Sequence, residues 1–282
     1  RLRGGGFEEV GLRTGVAFSP DGKARGGMGV DAAASNNSGI PALVVANFDN
    51  EMLGFYTATK RGMYTDLAPQ TEIGRRSRLS LGFGTFFFDA DNDGLLDLFV
   101  ANGHIDDDYS LRKNVQFAQP PHLFMNQGST GFADITGKIG GVFAQPKVGR
   151  GAAFADYDHD GDLDILVTTN RGPAYLFRND QTGRNRSVRF RLIGTKSNRD
   201  AIGATVRLFV NGKESGSRTV KSGSSYQSQS ELILTFGLGA RDRVERIAIT
   251  WPTGTIEEYR DLRAGRLYEC TEGKGIRDTG GF

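Results

Sequence analysis

Three stretches of this chain align with one another without gaps, and that repetition constrains the fold more than any other feature. They are GVDAAASNNSGIPALVVAN (Gly29 to Asn47), GTFFFDADNDGLLDLFVAN (Gly84 to Asn102) and GAAFADYDHDGDLDILVTTN (Gly151 to Asn170). Their central glycines, Gly39, Gly94 and Gly161, are spaced 55 and 67 residues apart. A second echo accompanies them: FEEV at Phe7 to Val10, YTDL at Tyr64 to Leu67 and FADI at Phe132 to Ile135. A fixed period of this kind is read before any local pattern, because each repeat is one supersecondary unit that buries its apolar face only against its neighbours. The runs LDLFVAN and LDILVTTN are short, aliphatic and β-branched, as in strands buried on both faces. Units of this length with short strands and glycine-rich turns predict four-stranded β-propeller blades. The polar stretch Gly103 to Pro121 reads as a surface excursion of the second unit.

Candidate chemistry lies in the turn before each apolar run. Asp89, Asp91, Asp93 and Asp97 occupy positions 1, 3, 5 and 9 of D-x-D-x-D-G-x-x-D, and Asp156, Asp158, Asp160 and Asp164 repeat the pattern. Four carboxylates so close repel one another unless a cation joins them. Hard oxygen donors in a flexible loop favour Ca²⁺, with the position-7 carbonyls of Leu95 and Asp162 as further ligands. Gly94 and Gly161 at position 6 permit the sharp turn. Val100 and Val167 stand where an EF-hand has its twelfth-position Glu, and strands flank the loop, so the EF-hand reading fails. In the first unit Ala34, Asn36, Ser38 and Ala42 fill the ligand positions, and that loop is expected to be empty. About two ions are expected in all.

The loops and strands resemble FG-GAP (VCBS-type) repeats, the calcium-binding blades of integrin α-subunit propellers. SNRDAIGA (Ser197 to Ala204), SGSSYQSQS (Ser222 to Ser230), FGLG (Phe236 to Gly239) and WPTG (Trp251 to Gly254) resemble an ASPIC/UnbV domain. With LGFGTFFFDADNDG, FVANGH and VGRGAAFADYDHDG, the chain is similar to the cartilage-acidic-protein-like secreted family. The resemblance implies an extracellular, calcium-binding or adhesion-type scaffold with protein or glycan partners.

The region after the third unit is β by its own pattern. Val188, Phe190 and Leu192 alternate with arginines; Val206, Leu208 and Val210 alternate with Thr205, Arg207 and Phe209; Ile247, Ile249 and Trp251 alternate with Ala248 and Thr250. Asn211-Gly212 signals a type I′ hairpin, and Trp251-Pro252-Thr253-Gly254 a type I turn. The expected architecture is therefore all-β: about three β-propeller-type blades, unclosed within the chain, over residues 1–183, then a small antiparallel β-sandwich over 184–282.

Other classes find little support. The 35 Lys+Arg and 33 Asp+Glu, net +2, are interspersed, which gives no nucleic-acid footprint. Cys270 is the sole cysteine, so neither an internal disulfide nor a Cys-based zinc site can form. No apolar run approaches a membrane span, and RLRGGGFEEV has neither an initiator Met nor a signal-peptide core, as expected of a processed chain or a piece of a longer one. G-x-S-x-G, P-loop and dinucleotide fingerprints are absent. His104 and His122 flank an excursion carrying Asp106, Asp107 and Asp108, the one constellation from which a catalytic metal site could be assembled; a solvated acidic loop is the favoured reading. Three functions follow in order: a non-enzymatic extracellular Ca²⁺-binding scaffold, a subunit that assembles with further copies through open blade edges, and a polysaccharide-active enzyme.

Overall fold

The computed structural model describes residues 5–34, 40–58, 62–108, 115–181, 183 and 185–282. They form five small sheets. The first repeat gives β1 (Val30–Ala33), β2 (Ala42–Val45), β3 (Gly54–Ala58) and β4 (Tyr64–Asp66), paired in that order. The second gives β5 (Gly82–Phe88), β6 (Asp97–Asn102), β7 (His122–Asn126) and β8 (Phe132–Asp134), again an antiparallel meander. The third has β9 (Gly149–Ala155), β10 (Asp164–Thr169) and β11 (Tyr175–Phe177). YTD and FAD are thus the outer strands of the first two blades, whereas Phe7 to Val10 forms no strand and Phe7 is exposed.

The blades stack through apolar faces. Val44, Phe55, Phe87, Leu98 and Phe124 join the first blade to the second; Phe86, Phe99, Leu123, Ile165 and Val167 join the second to the third. Between two neighbours, β6 is buried along its whole length, as its unbroken apolar run predicts. The equivalent β10 departs from that expectation: Leu166 is exposed, because no blade covers the far face of the third sheet. That sheet has three strands among the described residues rather than the expected four. After Phe177 the chain turns away, and Asn179 donates its backbone N–H to Asp164 Oδ1 at 2.7 Å.

β1, β5 and β9 lie side by side as the inner strands, and glycine sets their spacing. A Cβ on Gly84 would meet Ala152 N at 2.6 Å and Arg150 O at 2.8 Å on the next blade. A Cβ on Gly151 would meet Ser228 Oγ at 2.8 Å, because the serine-rich segment takes the place where a further inner strand would lie. From there the segment returns to the first blade: Val30 N donates to Ser225 O at 3.2 Å and Ser225 N to Val30 O at 2.8 Å.

The C-terminal region is a two-sheet sandwich. One sheet has the order β15 (Leu234–Gly239), β12 (Arg186–Ile193), β18 (Arg266–Thr271), β19 (Gly275–Gly281). The other has β14 (Lys213–Thr219), β13 (Thr205–Val210), β16 (Arg243–Thr250), β17 (Ile256–Arg263). Phe190, Phe236 and Tyr268 from the first pack on Val206, Ile247 and Ile249 from the second. All pairs are antiparallel except β12 with β18, which is parallel and so needs the long connection through the other sheet. Asn211 and Gly212 both have positive φ between β13 and β14, as the type I′ signal requires, and Gly254 N donates to Trp251 O at 2.8 Å in the WPTG turn.

Candidate cation loops

Each Asp-rich loop connects the inner strand of a blade to the next strand. The backbone is left-handed at positions 4 and 6 of both: Asn92 (φ 55°) and Gly94 (φ 98°), His159 (φ 62°) and Gly161 (φ 93°). Asparagine and histidine are among the non-glycine residues that tolerate this region. The same turn then carries the carboxylates inward. Asp89, Asp91 and Asp97 each place an oxygen within 4.8 Å of the others, and Asp156, Asp158 and Asp164 do the same.

The hydrogen bonds separate ligand-facing from anchoring oxygens. Asp89 Oδ2 accepts from Gly94 N at 3.0 Å and from Gly237 N at 3.1 Å. Asp89 Oδ1 is buried and has no hydrogen-bond partner. An orphaned buried carboxylate oxygen beside two more carboxylates is a donor set that fits a hard metal ion. In the third blade Asp156 Oδ2 accepts from Gly161 N at 3.1 Å and from Arg189 Nη1 at 2.6 Å, while Oδ1 accepts from Asp160 N at 3.1 Å. The position-9 residues hold the loops to the next strands: Asp97 takes Asn126 N (2.8 Å) and Ala90 N (2.7 Å), and Asp164 takes Asn179 N (2.7 Å) and Tyr157 N (3.1 Å).

Other predicted residues are placed differently. Asp93 lies outside the compact group, its Oδ1 accepting from Leu95 N at 2.7 Å. Asp160 groups with Asp158 and Asp180, all exposed. Asp180 was missed because it lies in the polar segment between blades and sandwich, 16 residues beyond the repeat pattern. The Asp162 side chain faces the second blade, accepting from Asn92 Nδ2 at 2.7 Å. Of the first loop, Ala34 is intermediate in exposure and Ala42 starts β2, while Asn36 and Ser38 lie outside the described residues.

The electrostatics match a loop built for a countercharge. Burial pushes the Asp89 carboxyl up to about 7, with Arg218 opposing and Asp93 and Asp91 reinforcing. Burial also raises Asp97 well above the carboxylate range and Asp162 to about 6. Asp93 and Asp164 are raised for the same reason.

The His/Asp constellation is not brought together. The His104 ring faces the backbone of Asp106 and Asp49 Oδ1 (3.5 Å) of the first blade. His122 instead bridges Ser80 Oγ (3.2 Å) and Asp134 Oδ2 (3.1 Å), a row that ties β7 to β8 and to the coil segment before β5. Asp106, Asp107 and Asp108 cluster on an exposed turn. The SNRDAIGA stretch opens on a structural contact: Thr195, Lys196 and Ser197 backbone N–H groups converge on Glu272 Oε2 at 2.7–2.9 Å. No helix among the described residues is long and apolar enough to cross a membrane.

Two family models match parts of the chain. Residues 89–167, which contain both acidic loops, match the FG-GAP-like repeat family, and residues 194–277 match the ASPIC and UnbV family. Cartilage acidic protein 1 of Homo sapiens is 31% identical over 129 residues, 44% of this chain and 19% of that protein. The Xenopus tropicalis and Mus musculus proteins of that name are each 34% identical over 113 residues, 38% of this chain and 17% of theirs. The aligned stretch is therefore under a fifth of the relatives' length. The chain thus matches the FG-GAP-like repeat family over its two acidic-loop blades and the ASPIC and UnbV family over most of the sandwich, and over part of its length it is similar to cartilage acidic protein 1.

Proposed function

We propose that this chain is a non-enzymatic, extracellular-type module in which two Ca²⁺ ions fix the blade turns and the surface is offered to a protein or glycan partner. The observation that carries the reading is the orphaned Asp89 Oδ1, buried beside Asp91 and Asp97. Asp89, Asp91 and Asp97 form the compact part of one site, which Asp93 and the Leu95 carbonyl would complete by closing on the ion. Asp156, Asp158 and Asp164 form that of the other, which Asp160 and the Asp162 carbonyl would complete in the same way. The secreted or cell-surface location rests on the similarity to cartilage acidic protein 1. The repeat and sandwich regions, 1–183 and 184–282, are proposed as separate domains.

Calcium titration by calorimetry and thermal unfolding with and without EDTA test this. An ion held at a hundred times its dissociation constant stabilises by about 2.7 kcal/mol per site, so chelation lowers Tm by roughly 5 °C or more. A silent titration together with an unchanged Tm would refute calcium binding.

A second reading has its own observation. Leu166 and Leu176 are directly paired across β10 and β11, and both are exposed on the uncovered face of the third blade. Such a face suits a further copy or another blade. Light scattering of the purified chain discriminates: a monodisperse monomer rules out self-assembly.

A further inference from the structure

We infer that the C-terminal sandwich completes both cation loops, with Gly237 and Arg189 as positioning residues, so that cation binding and sandwich docking are linked. The inference rests on the calcium reading above and goes beyond it.

In both loops Oδ2 of the first carboxylate is held from two sides; Asp89 Oδ1 has no hydrogen-bond partner, whereas Asp156 Oδ1 also accepts from Asp160 N at 3.1 Å. One holder is local, the N–H of the position-6 glycine: Gly94 at 3.0 Å and Gly161 at 3.1 Å. The other comes from the sandwich in each case. Gly237 N on β15 donates to Asp89, and Arg189 Nη1 on β12 donates to Asp156. β12 and β15 are neighbours in one sheet, so a single rigid edge reaches both loops.

The contacts around these two are equally polar and lie on the same edge. Gly239 N donates to Asn92 O at 2.8 Å, Asn185 Nδ2 to Asp91 O at 2.7 Å and Ser187 Oγ to Gly161 O at 2.8 Å. Asn92 Nδ2 links one loop to the other through Asp162 Oδ1.

Arg189 is 1% exposed, and its charge is balanced on both sides. Nη2 is bidentate to Glu231 at 2.6 and 2.7 Å, and Nε donates to Thr235 Oγ1 at 3.2 Å. The group therefore orients Asp156 and, with Glu231 and Asp156 both negative, adds no net positive charge to the site. By linkage, whatever holds the carboxylates in the ligating geometry raises cation affinity, and the cation in turn holds the sandwich.

Gly237 provides a selective probe. Its φ is not left-handed, so alanine suits the strand, but a Cβ there would meet Asp89 Oδ2 and, at 2.6 Å, Asn92 Cα. Gly237→Ala thus pushes the sandwich off the second blade's loop and presses on Asp89 Oδ2, while every ligand residue keeps its identity. Losing one charge-assisted hydrogen bond corresponds to about ten- to a hundredfold in affinity. The expected result in the full chain is that loss at one of two Ca²⁺ sites, with the other unchanged. Arg189→Met weakens the opposite site, and Arg189→Lys restores part of it.

A measurement without variants reads the reverse direction: amide hydrogen exchange at Gly237 and Gly239 slows when Ca²⁺ is added to the wild-type chain. Two wild-type affinities in a folded Gly237→Ala chain, or exchange at those amides indifferent to bound Ca²⁺, overturns the linkage while leaving calcium binding intact. Absence of Ca²⁺ binding by the wild-type chain overturns both.

Discussion

Substituting Gly84 by alanine tests how the inner strands set the blade spacing. Gly84 lies in the wholly buried β5, and its φ is not left-handed, so alanine adds one methyl group and no backbone strain. The atoms it would meet are Ala152 N at 2.6 Å, Ala152 Cβ at 2.7 Å and Arg150 O at 2.8 Å. Two of these are backbone atoms of β9 and cannot rotate aside. Carbon contacts relax at about 3.5–4.0 Å, so the two inner strands must part by roughly 1 Å. Overpacking of this kind costs about 1–3 kcal/mol, and immovable backbone places Gly84→Ala near the upper end. For a chain of this size that lowers Tm by roughly 5–10 °C, read by calorimetry or urea unfolding. Gly137→Ala is the control: nothing lies within 4 Å of its Cβ position in the short helix Thr136–Ile139, and alanine there stabilises by about 0.4–1 kcal/mol. A Gly84→Ala chain as stable as Gly137→Ala would mean that blade spacing is not set by the inner-strand glycines.

Further outcomes are expected from single groups. The converging Thr195, Lys196 and Ser197 amides and the Thr253 hydroxyl outweigh desolvation and hold Glu272 down at about 2. A depressed carboxylate stabilises the fold above its unfolded pKa near 4.5, and that contribution is lost as pH falls from there toward 2. Glu272→Gln is therefore less stable than wild type at pH 7, with a difference that shrinks through this window in acid unfolding curves. Burial pushes the Cys270 thiol up to about 12, so a thiol-reactive disulfide reagent at pH 8 labels it only after denaturation; prompt labelling of the folded chain contradicts its burial. Phe190→Ala removes a fully buried ring that packs on Phe236 and Tyr268 and costs about 3–5 kcal/mol in urea unfolding.

What the sequence revealed and what it hid divide along the range of the interactions. The acidic loops, their position-6 glycines and the Asn211-Gly212 hairpin are local: spacing and turn chemistry specify them, and Gly94, Gly161, Asn211 and Gly212 have the positive φ that such turns require. Arg189 is the opposite case. Its alternation with Val188 and Phe190 reads as a solvent-facing arginine, yet the face it points to meets the third blade, and its partners Asp156 and Glu231 are 33 and 42 residues away. Gly237 belonged to the recognisable FGLG stretch, but nothing in the stretch says that its amide meets Asp89. The serine-rich segment shows in sequence only as the SGSSYQSQS stretch of the resemblance; only the fold places Ser225 between Val30 and Ala152 of two different blades. The Leu166 exposure followed from the same limit, since an apolar run does not tell whether a neighbouring blade is present.

The chemistry of the two kinds of junction explains why the loops matter more than their size suggests. Blade packs on blade through aromatic and aliphatic side chains, and sandwich sheet on sandwich sheet likewise, but the three apolar clusters stop short of one another at the blade–sandwich boundary. There the contacts include amides on carbonyls, a guanidinium between carboxylates, the Lys221 ammonium on Asp31 and the Phe83 ring against Tyr226, beside a cavity of about 460 Å³ lined by Phe87, Phe154, Arg218 and Leu234. Each neutral hydrogen bond contributes only about 0.5–1.5 kcal/mol net, and a buried ion pair can do little better than offset its own desolvation. Such a junction fixes orientation more than it holds the parts together. Several of its groups end on the acidic loops, so charge placed in those loops acts directly on this boundary. A divalent cation there would set the attitude of the sandwich to the blades.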